Sequence, residues 1–375
     1  MTWAPEDTKA TNMPGMLAMA QVFQKYVNDQ GGLNGRKLRV LTCNEGNLPA
    51  ALAGCEQRAE KAKAVAVVGS YSEQGSIFVA ELTAAGIPYI GGYGITQNEF
   101  QSPMSYPING GLPALLAGSG RQLADVCKKV TLVRPDTITG DQFPIFLDQG
   151  LAAGRRAPAR DIPTADDVSD YTDPAARSVG DNKPTSCVSA VLGDHTSTFF
   201  DALRRTGDNK PKVRVSSVLG SVQQSLVDST GGAASPLEGA YVTGWYPATA
   251  DPKWNPMKAA ITKYAFGDNR IEASDPGVQT TWIAYDVFAK VVRAMDHGTK
   301  VNAAGVRLAM DRTTGLSTGG LTPTLGWSLD DTLNVPSQPR MVNSSITYQV
   351  VKDGTLVQAR PGFVNVAATL RDTKN

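Results

Sequence analysis

Between Ala64 and Thr96 the chain reads AVAVVGSYSEQGSIFVAELTAAGIPYIGGYGIT. Its first five residues, Ala64 to Val68, are small or β-branched and run without polar alternation, as a strand covered on both faces requires. Gly69 and Ser70 end that run and the polar stretch SYSEQ follows. Ile77, Phe78, Leu82 and Ala85 then recur at helical spacing, and Gly86 supplies the stop. Ile87 to Ile90 forms a second buried strand, closed by Gly91-Gly92-Tyr93-Gly94. The stretch is thus one βαβ unit of a parallel sheet, with two glycine-bearing polar loops leaving the same carboxyl edge. Ligands of open α/β sheets sit at that edge. We expect these loops to form half of a small-molecule site, with the other half mirrored later in the chain.

At 375 residues the chain exceeds one typical core and suggests two domains. Its 36 Lys+Arg nearly balance 35 Asp+Glu, and no basic stripe carries interleaved aromatics, so a nucleic-acid partner is not expected. No apolar run reaches the ~20 residues that span a bilayer. The opening MTWAPEDTK lacks the basic-then-apolar pattern of a signal peptide, so either a targeting segment has been removed or the protein is cytoplasmic. Four cysteines bear on that choice. Cys43 ends a strand-like run and Cys55 lies in the helix after it, while Cys127 and Cys187 each precede a predicted strand. Of the three possible connectivities, 43–55 and 127–187 keep each bridge within one lobe. Those pairs imply an exported protein; four buried free thiols would be the cytosolic alternative.

Strand and helix patterns alternate along most of the chain. Helices are expected over 15–29 and from a cap at Asn47 to about 62, with a strand at 38–42 between them. Residues 102–111 carry two prolines and two glycines and read as a crossing segment. A second βα series follows: strands near 130–133, 157–163 (proline-interrupted, hence near an edge), 187–192, 212–219 and 239–244. The last third is more helical, then ends in two alternating runs around Asp353-Gly354, a hairpin signal. Crossings are expected near Tyr106–Gly111, Gly244–Pro247 and Thr322–Trp327.

The segment GGLNGRKLRVLTCNEGN resembles a signature of type I periplasmic binding proteins, the solute receptors of branched-chain amino acid and related ABC importers. VAVVGSYSEQGS, AGIPYIGGYGITQNEF, DTITGDQF and EGAYVTGWYP continue the likeness in the same order, so that it covers Gly15 to Val357. The resemblance implies an α/β Venus-flytrap: two doubly wound parallel-sheet lobes joined by a multi-strand hinge. Residues 1–110 plus 246–324 would form the N-terminal lobe, and 111–245 plus 325–375 the C-terminal lobe. It implies a non-enzymatic receptor without a cofactor or metal, a monomer, that captures a small polar ligand, an amino acid or a relative, by hinge closure. The partners implied are that ligand and the permease subunits of an ABC transporter. The location implied is extracytoplasmic: periplasmic, secreted or lipid-anchored. The alternatives are the extracellular ligand-sensing domain of a receptor and, third, a cytoplasmic α/β enzyme.

Carried over residue by residue, Ser70, Tyr71 and Ser72 match the loop whose hydroxyl binds a ligand carboxylate, and Gly94 and Thr96 match a backbone-and-threonine contact. In the second lobe Thr137, Ile138 and Thr139 match a loop that often bears an aromatic ring. His195 and Thr196 match another ligand loop, and Ser221 the place of an acid that pairs a ligand ammonium. No aromatic stands at 137–139 and no carboxylate at 221, so Tyr93, Trp245 and Asp194 are the candidate substitutes.

Each candidate has a plainer reading. Ser70-Tyr71-Ser72 can cap the following helix, although three hydroxyls at a carboxyl edge, beside helix N–H groups, suit an anionic ligand group. Gly92-Tyr93-Gly94 lacks the third glycine of a dinucleotide fingerprint. His195 is one of two histidines and has no paired nucleophile. The chain has no H-E-x-x-H pair. Trp245, Trp282 and Trp327 read more readily as core than as ligand stackers, and Trp245 lies at an expected crossing.

Overall fold

The computed structural model describes residues 1–8, 11–165, 168–206, 212–295 and 300–372. The chain separates into two compact units, Met1–Gly111 with Asp251–Ser344, and Leu112–Ala250 with Ser345–Asn375. Three chain crossings therefore join them.

The first unit is built on five short strands: β1 (Thr2–Ala4), β2 (Thr42–Asn44), β3 (Val67–Val68), β4 (Tyr89–Ile90) and β5 (Ser105–Tyr106). β1 pairs parallel with β2, and β3, β4 and β5 pair parallel in that order. Backbone bonds from Val68 N to Met1 O (2.9 Å) and from Tyr71 N to Trp3 O (3.1 Å) join β1 to β3. The order is thus β2-β1-β3-β4-β5, which reverses direction between β1 and β3 and opens a crevice at their carboxyl ends. The organising stretch folds as its pattern requires, with a helix over Gly75–Ala85 ended by Gly86 at φ +66°. Trp3, Leu52, Val67, Phe78 and Tyr89 pack on one face with the Cys43–Cys55 bridge. The long helix Pro276–Ala294 covers another part of the sheet. There Thr281 Oγ1 donates to Gly69 O (3.0 Å) and Tyr285 OH bonds Thr2 Oγ1 (2.7 Å). Gly69, at φ +58°, is required there, because a Cβ would lie 2.9 Å from Thr281 Cα.

The second unit holds a mixed sheet in the order β12-β11-β10-β9-β8-β6-β7, with β13 pairing β11. Its strands are β6 (Lys129–Pro135), β7 (Arg160–Thr164), β8 (Ser186–Ala190), β9 (Arg214–Val218), β10 (Tyr241–Gly244), β11 (Ser345–Lys352), β12 (Thr355–Gln358) and β13 (Val364–Asn365). Strands β6 to β10 are mutually parallel, and β11 is antiparallel to β10. The proline-interrupted β7 takes the edge, where a missing N–H is harmless. Asp353 (φ +51°) and Gly354 (φ +73°) turn β11 into β12, as the hairpin signal requires. Cys127, which closes the helix Gly111–Val126, bridges Cys187 on β8, with Cα atoms 5.9 Å apart.

The structure departs from the sequence expectations at four places. The helix over Pro49–Lys61 has Leu48, not Asn47, as its N-cap; Asn47 sits at φ +54° and its amide donates to Thr11 O. The crossing segment 102–111 contains β5. The strand expected at 38–42 pairs only from Thr42. Residues 325–344, assigned from sequence to the second lobe, belong with the first. Trp327 Nε1 donates to Pro107 O (2.9 Å), Arg340 N to Phe100 O (2.9 Å) and Asn343 Nδ2 to Ile108 O (2.9 Å). The third crossing therefore lies at Ser344–Ser345 rather than near 322–327, and the second at Ala250–Asp251.

Candidate ligand-binding edges

In the first unit, the loops after β3 and β4 leave the sheet side by side, joined by Tyr93 N donating to Ser70 O (3.0 Å). Ser70 is fully buried, and its Oγ accepts from Trp3 N (3.1 Å). Ser72 is fully buried as well; its Oγ donates to Glu45 Oε2 (3.0 Å) and accepts from Gln74 N (3.1 Å). Tyr71 donates to Glu73 Oε1 (3.0 Å) and meets Tyr93 edge-on, with centroids 5.3 Å apart. The serine hydroxyls thus serve the lobe's own fold, tying β1, the helix start and a buried acid together.

Gly94 and Thr96 are held in the same manner by a residue the sequence reading passed over. Glu99 lies in the 3-10 turn Gln97–Phe100, buried. Its Oε1 accepts from Thr96 N (3.0 Å) and Thr96 Oγ1 (3.3 Å), and its Oε2 from Gly94 N (3.1 Å) and Tyr89 OH (3.3 Å). Burial pushes the Glu99 carboxyl up to about 7, against the pull of the Thr96 and Gly94 amides. Burial also raises Glu45, which the Asn47 amide and the Ser72 hydroxyl oppose. One signal for Glu99 stood in the sequence: Thr96-x-x-Glu99 is a capping box, and both of its reciprocal bonds form. Glu45 has no such signal, since its partner Ser72 lies 27 residues away.

In the second unit the candidates come from four parallel strands and so share one carboxyl edge. Thr137, Ile138 and Thr139 follow β6; Thr137 Oγ1 accepts from Gly140 N (3.0 Å), and Ile138 is 89% exposed. Arg134, at the end of β6, anchors this loop. It forks onto Asp161 (2.9 Å) on β7 and reaches Asp141 (2.8 Å) beyond the loop. Asp194, His195 and Thr196 follow β8. Asp194 is exposed, and the half-buried His195 lies against Tyr171 at 6.3 Å. Thr196 and Ser221 are buried, and their hydroxyls accept from Leu192 N (3.1 Å) and Gly193 N (3.1 Å), fixing the turn that displays Asp194. Trp245, after β10, is fully buried with its ring tilted on Tyr246. The strand order changes direction between β6 and β8, so the Thr137 and Asp194 loops flank the switch point. Among the described residues, no three His, Cys, Asp or Glu side chains are grouped to hold a metal ion.

Two doubly wound units, each with polar loops at a switch point, raise the question of kinship. A family model described as "Periplasmic binding protein" matches residues 8–342. The chain belongs to the periplasmic binding protein family. It is a type I periplasmic binding protein, a binding protein and not an enzyme. Among solved structures, this binding protein is similar to an ABC-transporter solute-binding protein from R. palustris in complex with benzoate (15% identity, 97% and 96% of the two chains, TM-score 0.74). It is similar to a leucine-binding protein from Thermotoga maritima (11%, 97% and 97%, 0.74) and to a fatty acid ABC transporter substrate-binding protein from Thermomonospora curvata (13%, 96% and 90%, 0.76). A comparison with curated protein sequences finds no match. No helix among the described residues is long and apolar enough to cross a membrane.

Proposed function

We propose that this binding protein works outside the cytoplasm, capturing a small polar or amphipathic solute and delivering it to the permease subunits of an ABC importer. The two disulfides fit an oxidising compartment. The observation that carries the reading is the pairing of family membership with two parallel sheets whose switch-point edges both bear polar loops. The solute would be held by polar loops at such a switch-point edge.

The solute we favour is an amino acid or a relative that presents a donor group. Asp194, displayed on a turn fixed by Thr196 and Ser221, is the acceptor for an ammonium. Ile138, exposed beside it in the strand order, offers an apolar contact. The similar structures include a benzoate complex, a leucine-binding protein and a fatty acid substrate-binding protein, so the fold admits diverse solutes and this chain's side chains must decide among them. Mass spectrometry of the small molecules released on denaturing the freshly purified protein tests the reading. An amine-bearing solute at near-stoichiometric amount supports it. A tightly bound nucleotide, or turnover of the released compound by the protein, would overturn it.

A further inference from the structure

The anion site that sequence reasoning expects at the first lobe's edge is already filled, and filled by the chain itself. The amides of Gly94 and Thr96 and the Thr96 hydroxyl form the kind of donor nest that holds a carboxylate. Glu99 delivers one to that nest from three residues away, and both of its oxygens accept there. Tyr89 closes the arrangement from the sheet side, its OH lying within bonding distance of both Glu99 and Ser70 O. Gly92 makes room for it, because a Cβ there would fall onto the Tyr89 ring and the Glu99 carboxylate. Beside this group the Ser72 hydroxyl is committed to Glu45, and Glu73 takes the Tyr71 hydroxyl. Neither loop, 69–74 or 91–100, contains a lysine or arginine. A second carboxylate brought here would find its donors taken and three acidic side chains around it.

We propose that Glu99 is the specificity-determining residue of this edge: its carboxylate occupies the Gly94–Thr96 donor nest, so the first lobe turns a solute carboxylate away and admits a neutral or cationic group. The proposal rests on the solute-binding reading and narrows its solute to amines, amino alcohols and amides that lack a carboxylate on this side.

The test empties the nest and offers it a free carboxylate. Glu99→Ala and Glu99→Ser are purified, and their thermal unfolding is followed in 200 mM sodium formate against 200 mM sodium chloride, beside the wild type. Formate should raise the Tm of both variants by about 3 °C or more over chloride and leave the wild type unmoved. If Glu99→Ala does not fold, Glu99→Ser, which keeps a small polar side chain, carries the test alone. No formate effect on the folded variant would overturn the proposal, since the nest would then not be a carboxylate site. An equal rise in the wild type would overturn it too, since the nest would then be open. This readout needs no solute, so it succeeds or fails independently of the transport reading.

Discussion

At the first lobe's edge the polar groups point into the protein: Ser70, Ser72, Thr96, Glu45 and Glu99 are all buried and bonded to one another's loops. At the second lobe's edge the buried hydroxyls of Thr196 and Ser221 only brace a turn, and the turn exposes Asp194, as the Arg134-anchored loop exposes Ile138. Both edges stand at switch points of parallel sheets, so topology alone does not separate them. The difference lies in where the carboxylates are kept. A buried acid organises one edge and an exposed acid equips the other.

Removing the bridges should break the comparison at its largest scale. Loop entropy assigns about 4 kcal/mol to the Cys127–Cys187 bridge, which spans 60 residues, and about 3 kcal/mol to Cys43–Cys55, which spans 12. Replacing each pair by alanine and following urea unfolding should therefore destabilise the second lobe more than the first; equal losses would contradict this. A thiol assay on the denatured, unreduced protein should find almost none.

Gly92→Ala attacks the first edge directly. Its methyl group must displace Tyr89 or Glu99, at a cost of about 2–4 kcal/mol by overpacking and lost hydrogen bonds. Denaturant titration that places the variant within 0.5 kcal/mol of wild type would show that the Glu99 pocket is soft.

Glu99 also gives the first lobe a pH signature of its own. Its folded pKa, about 7, lies above the ordinary 4.5, so the folded state binds the proton more tightly and stability falls as pH rises from 4.5 through 7. The loss amounts to about 2–3 kcal/mol. Glu56, pushed by burial to about 7 as well, acts in the same window, so the informative quantity is the difference from Glu99→Gln. That difference should shrink in the wild type's disfavour between pH 5 and 8; a constant offset would place the Glu99 titration elsewhere.

The smallest effects on folding belong to the second edge and are expected in binding instead. Asp194→Asn should weaken an amine-bearing solute by about 10-fold while stability changes by less than ~0.5 kcal/mol. Calorimetry showing equal affinity for both proteins would remove Asp194 from the site.

The architecture was largely legible because the Ala64–Thr96 unit states its own period: an apolar run, a helical stripe ended by Gly86, and a second run. The hairpin at Asp353-Gly354 and both cysteine pairs were legible for similarly local reasons. The third crossing was not, because what fixes residues 325–344 to the first lobe is backbone and side-chain bonding to Pro107, Phe100 and Ile108, more than 200 residues back. At the site, residue positions were readable and their engagements were not. The hydroxyls at 70, 72 and 96 were visible, but Glu45 reaches Ser72 only through the fold. Glu99 announced itself solely as the fourth letter of Thr96-x-x-Glu99, a pattern that reads as a helix start rather than as an occupant of a nest.

The three crossings have a consequence for how the molecule comes into being. Thr2 and Gly69 wait for Tyr285 and Thr281, which are made 283 and 212 residues later. As the chain emerges from its N-terminus, the first lobe is therefore begun first but completed only when residue 344 has been added. Leu112 to Ala250, by contrast, is made without interruption and lacks only its closing strands from Ser345 onward. Through most of its synthesis the early segment has its own helices on one face of the β3–β4 sheet but lacks the Pro276–Ala294 helix that covers another part of it.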